Sequence, residues 1–273
     1  MKERIVMIGS GNVAQHLGKI LHLNGHDILQ VYSRNLQHAQ FLANQLDAIA
    51  INSLSSIEPK ASLYLFCIKD DAIGSLSAEL TAYLPINSVL AHTSGVNSPS
   101  ILDSYFLHRG LFYPLQSFST NSKPDWQHLP IFVEGDDETL VFLETLAHGI
   151  SQRVLKMDEA LRTHLHLASV FANNFTNFNL VIARKILAKS EIPFDVLEPL
   201  MSETIAKAFR LMPENTQTGP AKRCDTSTIE KHVRLLVSEF PEFRSLYKKY
   251  SQIIQQEFKH ATPGSNSTST IGD

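Results

Sequence analysis

Three groups of residues in this chain of 273 have the types and spacing to do chemistry. The first is Gly9-Ser10-Gly11-Asn12-Val13-Ala14, a G-x-G-x-x-A run that follows an apolar stretch and opens a helical one. Gly9 suits a tight turn, Gly11 leaves room for a pyrophosphate against the backbone, and Ala14 permits close helix–strand packing. The free N–H groups and partial positive charge of a helix N-terminus complete an anion cradle. The second group is His92-Thr93-Ser94-Gly95. Gly95 allows close backbone approach and Ser94 can hydrogen-bond a carboxylate or carboxamide, while the plainer reading is a turn capped by its own Ser or Thr. The third is His166 with Asn173 and Asn177, which an uninterrupted α-helix would set in one stripe. Histidine exchanges protons near neutral pH and asparagine orients a carbonyl or hydroxyl, although the same stripe would also serve as a structural hydrogen-bond network.

The first group points to a dinucleotide, and the second strand says which. It ends Tyr32-Ser33-Arg34, where an NAD enzyme usually carries an acidic residue for the ribose 2′-hydroxyl. A carboxylate would repel a 2′-phosphate, whereas Ser33 and Arg34 can bind one, so NADP(H) is expected over NAD. Arg34 is alternatively a solvated loop residue, or stacks on the adenine. Cys67, Ile68 and Lys69 end the fourth strand and, with Thr93, should flank the dinucleotide. Asp70 is read as the N-cap of the helix that follows, and Cys67 as a small apolar residue. Arg223 and Asp225, near His232, either pair structurally or anchor an acidic substrate beside Gly95. No H-E-x-x-H or clustered Cys/His pattern occurs, so no metal is expected.

These residues need elements to hold them. Apolar runs at Arg4–Ile8, Ile28–Tyr32, Ala48–Ile51, Leu63–Ile68, Ser88–Ala91, Gly110–Phe112 and Ile131–Glu134 read as strands. Helical patterns at Val13–Leu23, Leu36–Gln45, Ala72–Tyr83, Ser100–Phe106 and Asp137–His148 lie among them. Such alternation predicts an α/β fold, a doubly wound Rossmann domain over residues 1–153. Residues 154–260 read as an all-α domain for substrate and dimerisation. In it Asp158 to Lys189 lacks Gly and Pro and is apolar nearly all round, which predicts a helix buried on most sides. Ser227-Thr228-Ile229-Glu230 looks like a capping box, Glu242–His260 like the last helix, and 261–273 like a disordered tail.

Charge divides at the same place. Residues 1–150 hold 8 basic and 14 acidic side chains, net −6, against 16 and 13, net +3, in the rest. Nine of the 12 glycines lie in the first part, where strand–loop–helix turns use them. The overall charge of −3 and the absence of a concentrated basic stripe argue against nucleic acid. No apolar run reaches the roughly 18 residues of a membrane span, and the start of the chain lacks a signal-peptide core. Two distant cysteines suggest reduced thiols and a cytoplasmic setting. The apolar long helix suggests a homodimer through the C-terminal helices.

Taken together, the glycine loop, His92–Gly95, Tyr113-Pro114-Leu115-Gln116-Ser117-Phe118, the helix from His164 to Phe175 and the loop Thr218–Asp225 resemble a family of bacterial Rossmann proteins. That family is labelled NADP oxidoreductases, some deazaflavin-dependent, with a helical C-terminal domain of unassigned function; the resemblance covers about residues 3–260. More distantly the layout is similar to pyrroline-5-carboxylate reductase, ketopantoate reductase and the 6-phosphogluconate and 3-hydroxyisobutyrate dehydrogenases. It implies hydride transfer to or from a small carbonyl, imine or deazaflavin-type acceptor in an interdomain cleft; from the residues themselves His166 is read as the proton donor, with Asn173, His92 and Ser94 beside it. Two departures stand out. The better-known dehydrogenases place a catalytic Lys early on the first long helix of the second domain, but here none precedes Lys185. The family also often has Gly where Cys224 stands. The missing Lys leaves open a non-catalytic dinucleotide-binding sensor or interaction protein.

Overall fold

The computed structural model describes residues 2–258; the tail 261–273, expected to be disordered, lies outside them. Eight strands form one sheet in the order β3-β2-β1-β4-β5-β6-β7-β8. They are β1 (Arg4–Ile8), β2 (Asp27–Tyr32), β3 (Ile49–Ile51), β4 (Leu63–Phe66), β5 (Val89–His92), β6 (His108–Pro114), β7 (Ile131–Gly135) and β8 (Val154–Lys156). Only the β6–β7 pair is antiparallel. The helices of this part are α1 (Asn12–Leu23), α2 (Leu36–Ala43), α3 (Ile73–Leu80), α4 (Asp137–His148) and α5 (Glu159–Ser169).

Strand alternation separates two cores. Ile5 and Met7 of β1, Leu63 and Leu65 of β4, and α1, α2 and α4 pack on one face. Val6, Ile8, Tyr64 and Phe66 pack with Ile73 and Leu80 of α3 on the other. A sheet covered on both faces explains why its strands read as continuous apolar runs. The expected doubly wound architecture is therefore present.

Two local expectations need correction. Ser100–Phe106 is not a helix; only Pro99–Ile101 forms a 3₁₀ turn. Asp103 stops it, because its carboxylate accepts the Tyr105 N–H at 2.8 Å while its own N–H goes to Ser77 Oγ at 3.0 Å. Strand β8 carried no sequence signal, being three residues long with two exposed.

By internal contacts the chain forms two compact units, Met1–Asn173 and Asn174–Asp273. The composition break near residue 154 is thus not the contact break, because α5 belongs with the sheet. After α5 comes a π-helical segment, Val170–Phe175. The second unit holds α6 (Thr176–Lys189), α7 (Glu198–Leu211), α8 (Pro213–Thr216), α9 (Thr226–Glu239) and α10 (Arg244–Phe258).

Burial of the long helix on most sides is not found among the described residues: Arg162 is buried in α5, but no residue of α6 is. The capping box is displaced as well. Asp225 caps α9, its carboxylate accepting the Thr228 N–H at 3.0 Å and the Thr228 hydroxyl at 2.7 Å.

Candidate functional site

The strand ends of the first unit build the site. Gly9 follows β1 with φ +119, a conformation that disfavours side chains, and its absent Cβ would stand 2.4 Å from the Cys67 carbonyl oxygen. Its N–H donates to Tyr32 O at 2.8 Å, the Cys67 N–H to Ile8 O at 2.8 Å and the Thr93 N–H to Phe66 O at 3.0 Å. Three successive loops are thereby pinned side by side at the carboxyl ends of β1, β4 and β5. In such sheets that edge is where ligands bind.

They enclose a cleft of about 1090 Å³. Gly9, Ser10, Gly11, Asn12, Val13, Ser33, Arg34, Cys67, Ile68, Lys69, Thr93, Ser94 and Gly95 all line it. Along the chain they belong to four separate segments. The space beside Gly11 is open, and no side chain caps the start of α1, so its first N–H groups face a cavity with the charge preference of a helix N-terminus. At the other end stand Arg34 and His38, the latter overlooked in the sequence because it sits one helical turn beyond the strand end. Among the described residues Arg34 forms no ion pair. A dinucleotide with a 2′-phosphate fits this distribution: amides for the pyrophosphate, a guanidinium for the terminal anion.

Phe118 is a further cleft residue that sequence reasoning missed as such. The strap after β6 is laid over α1 by Asn12 Nδ2 donating to Phe118 O at 3.2 Å, and by His16 Nε2 against Ser119 O at 2.8 Å. His16, Phe118 and Trp126 stack in series. Asn12 therefore uses its amide on the strap.

Cys67 is neutral: burial pushes its thiol up to about 12, against a smaller opposing bond from Thr93. Asp70 does not cap α3, whose N-cap is Ala72 without a side-chain bond; it lies in a 3₁₀ turn and lines the cleft. The reason is an extra turn, Asp70–Ala72, inserted before the helix proper.

The residues expected to be catalytic separate. His92 is fully buried and absent from the cleft lining; its Nδ1 accepts the Ser94 N–H at 3.2 Å and its Nε2 lies 3.1 Å from Ser98 O. Burial holds its ring far below the usual range, at about 4, so it stays neutral and ties down its own loop. Ser94 Oγ accepts from Val96 N, Asn97 N and Asn97 Nδ2 at 3.1–3.2 Å, which leaves its lone pairs occupied. Arg162 of α5, buried and paired with Glu134 of β7, also donates from Nε to Val96 O at 3.2 Å. Burial raises the Glu134 carboxyl, partly offset by Arg162. Nothing in the local sequence marks this pair, because its members lie 28 residues apart.

His166 does not line the cleft either, but it packs against Gly95, which does. An added Cβ at Gly95 would meet Tyr113 Cζ at 2.7 Å, the Tyr113 hydroxyl at 2.8 Å and His166 Nδ1 at 3.0 Å. Asn173 does not line the cleft; it is exposed within the π-helical segment, whose wider turns spoil the i, i+7, i+11 alignment with His166 and Asn177. Arg223 and Asp225 belong to the second unit, where Asp225 is the α9 cap already described. Thr228 holds the Asp225 carboxyl below the usual range. Cys224 has φ +54, the left-handed region that a glycine would adopt without strain.

Comparison with known proteins bears on both halves. Residues 4–92 match the family model described as NADP oxidoreductase coenzyme F420-dependent, and residues 129–254 match a domain of unknown function, DUF2520. The crystal structure of "putative NADP oxidoreductase" from Bacteroides fragilis is 37% identical, covers 93% of this chain and 98% of its own, and superposes with a TM-score of 0.88. An imine reductase from Myxococcus stipitatus in complex with NADP+ is 15% identical over 94% of each chain, TM-score 0.68. A pyrroline-5-carboxylate reductase from Coxiella burnetii is 17% identical over 97% of this chain and 100% of its own, TM-score 0.57. These last two share the fold. No curated protein matches the sequence.

Proposed function

This chain belongs to the family of NADP oxidoreductases that includes its Bacteroides fragilis relative, and we propose that it transfers a hydride between NADP(H) and a small carbonyl, imine or deazaflavin-type acceptor. The single observation that carries the reading is the cleft in which Gly9–Val13, Ser33–Arg34, Cys67–Lys69 and Thr93–Gly95 converge. Gly9–Val13 and the start of α1 hold the pyrophosphate, Ser33 and Arg34 the 2′-phosphate. The nicotinamide supplies the hydride chemistry. This chain's part is to exclude water, orient the acceptor near Gly95 and provide a proton from His166.

Two observations support further parts of the reading. Large apolar side chains of the helical unit are exposed, Phe209 at 88% and Leu200 at 62%, as expected of a homodimer through these helices. Both cysteines are free, Cys67 buried and Cys224 exposed, which accords with a cytoplasmic setting; among the described residues no helix is long and apolar enough to cross a membrane. A non-catalytic dinucleotide sensor is favoured by two features, the missing Lys early on the long helix and the engagement of His92 and Ser94 with their own loop.

The test is NADPH oxidation with a panel of cyclic imines and 2-keto acids, with Arg34→Ala alongside. We expect turnover of at least one acceptor, and a loss of NADPH-over-NADH preference of about tenfold, the worth of one charge-assisted contact. Tight NADPH binding without turnover across the panel establishes the sensor; an unchanged NADPH/NADH ratio removes Arg34 from the phosphate.

A further inference from the structure

His166 Nδ1 is buried and has no hydrogen-bond partner among the described residues, although buried polar atoms are nearly always satisfied. The Tyr113 hydroxyl stands across the same small space. Both atoms lie within 3.0 Å of the point where a Gly95 side chain would begin, hence within about 6 Å of each other. Among the described residues the Tyr113 hydroxyl has no hydrogen-bond partner either. A side chain at Gly95 would push the tip of Tyr113 or the imidazole aside. Tyr113 comes from β6 and His166 from α5, so the two meet only because the sheet and that helix pack in one unit.

We propose that Tyr113 is a positioning residue for His166: the two are not hydrogen-bonded in this structure, and with NADP(H) bound the hydroxyl turns to donate to Nδ1, fixes the ring proton on Nε2, and leaves the Nε2–H to face the acceptor. This rests on His166 being the proton donor of the function proposed above. A ring nitrogen whose partner is fixed has a fixed tautomer and orientation. Burial, and to a smaller extent the cleft-lining Asp70, keep the Tyr113 hydroxyl protonated. The hydride, a hydrogen nucleus with two electrons, comes from NADPH and adds to the acceptor carbon, displacing the π pair onto the acceptor heteroatom. That atom takes the Nε2 proton; the Tyr113 O–H proton passes to Nδ1; water reprotonates the tyrosinate. One proton is consumed and NADPH is oxidised to NADP+.

The test is ¹⁵N NMR of the imidazole of His166, in protein saturated with NADP+, for wild type, Tyr113→Phe and Gly95→Ala, with thermal melts to verify folding. We expect a single tautomer in wild type, Nε2 protonated, and a mixed population in both variants. With NADPH and 2-methyl-1-pyrroline as the acceptor, Tyr113→Phe should lower kcat by about 100-fold, the lower end of what a positioned general acid is worth, with KM and the NADPH Kd little changed. An identical His166 tautomer in folded Tyr113→Phe overturns the proposal, as does unchanged kcat in a wild type that turns over. A tautomer that depends on Tyr113 in a protein that reduces no acceptor supports the pairing and sinks the oxidoreductase reading instead.

Discussion

The sheet unit and the helical unit solve the burial problem differently. Both faces of the sheet carry closed cores, and even charged Arg162 is enclosed there with its Glu134 partner. In the helical unit, buried apolar residues among those described reduce to Ala221, Leu236 and Phe243, while Leu200, Phe209 and Met212 face out. Helices without glycine turns need a partner surface to bury an all-round apolar face, whereas a sheet wrapped by its own crossovers does not. The sheet unit therefore has its cofactor cleft within itself, and the helical unit, on the dimer proposed above, is covered by a second copy.

Three experiments can break or sharpen that contrast. The largest effect belongs to Gly9→Ala. Its Cβ would meet the Cys67 carbonyl at 2.4 Å, at φ +119, against backbone that cannot swing away. We expect NADPH affinity, measured by fluorescence titration, to fall about 100-fold or more, as the amide cradle shifts off the pyrophosphate, while the helical unit keeps its far-UV signal. Affinity within twofold of wild type would show that the loop tolerates what the packing forbids.

Next is Leu200→Asp combined with Phe209→Asp. Sedimentation should find a dimer for wild type and a monomer for the variant, with NADPH binding by the sheet unit nearly intact. A wild type that sediments as a monomer at all concentrations removes dimerisation as the reason these apolar side chains face outward.

The last test is of pH on the sheet unit. The folded His92 titrates at about 4, well below the ordinary imidazole value of 6.5. The unfolded chain therefore binds the extra proton first, and stability falls as pH drops from 6.5 towards 4, by up to about 3 kcal/mol. Above 6.5 the ring is neutral in both states and contributes no slope. His92→Asn should flatten the loss of melting temperature across that window; an equally steep slope would assign the acid sensitivity to another group.

Much of the sheet unit was legible because its signals are local. Short apolar runs, a glycine loop and a strand ending in Ser33-Arg34 each carry their meaning within a few neighbours, and the loop and strand ends all meet in one cleft. The catalytic side was less so. His92 is read from the sequence as a candidate catalytic residue at a strand end, yet its ring is buried in loop hydrogen bonds. The Asn173 stripe assumed about 100° per residue through a stretch that adopts π-helix. Capping chemistry went to Asp225 rather than Ser227 because only the folded backbone decides where α9 begins.

By itself, then, the sequence determined the elements and their order: apolar periodicity sets strand or helix, and glycine sets where the chain turns tightly enough for phosphate to approach. The tertiary structure alone decided which polar side chains are spent on holding loops and which are left to act. Arg162 with Glu134, and Tyr113 with His166 across Gly95, are separated by tens of residues. Only packing α5 onto the sheet brings them within reach, because the cost of an unsatisfied buried polar group is a property of three-dimensional surroundings, not of spacing along a chain.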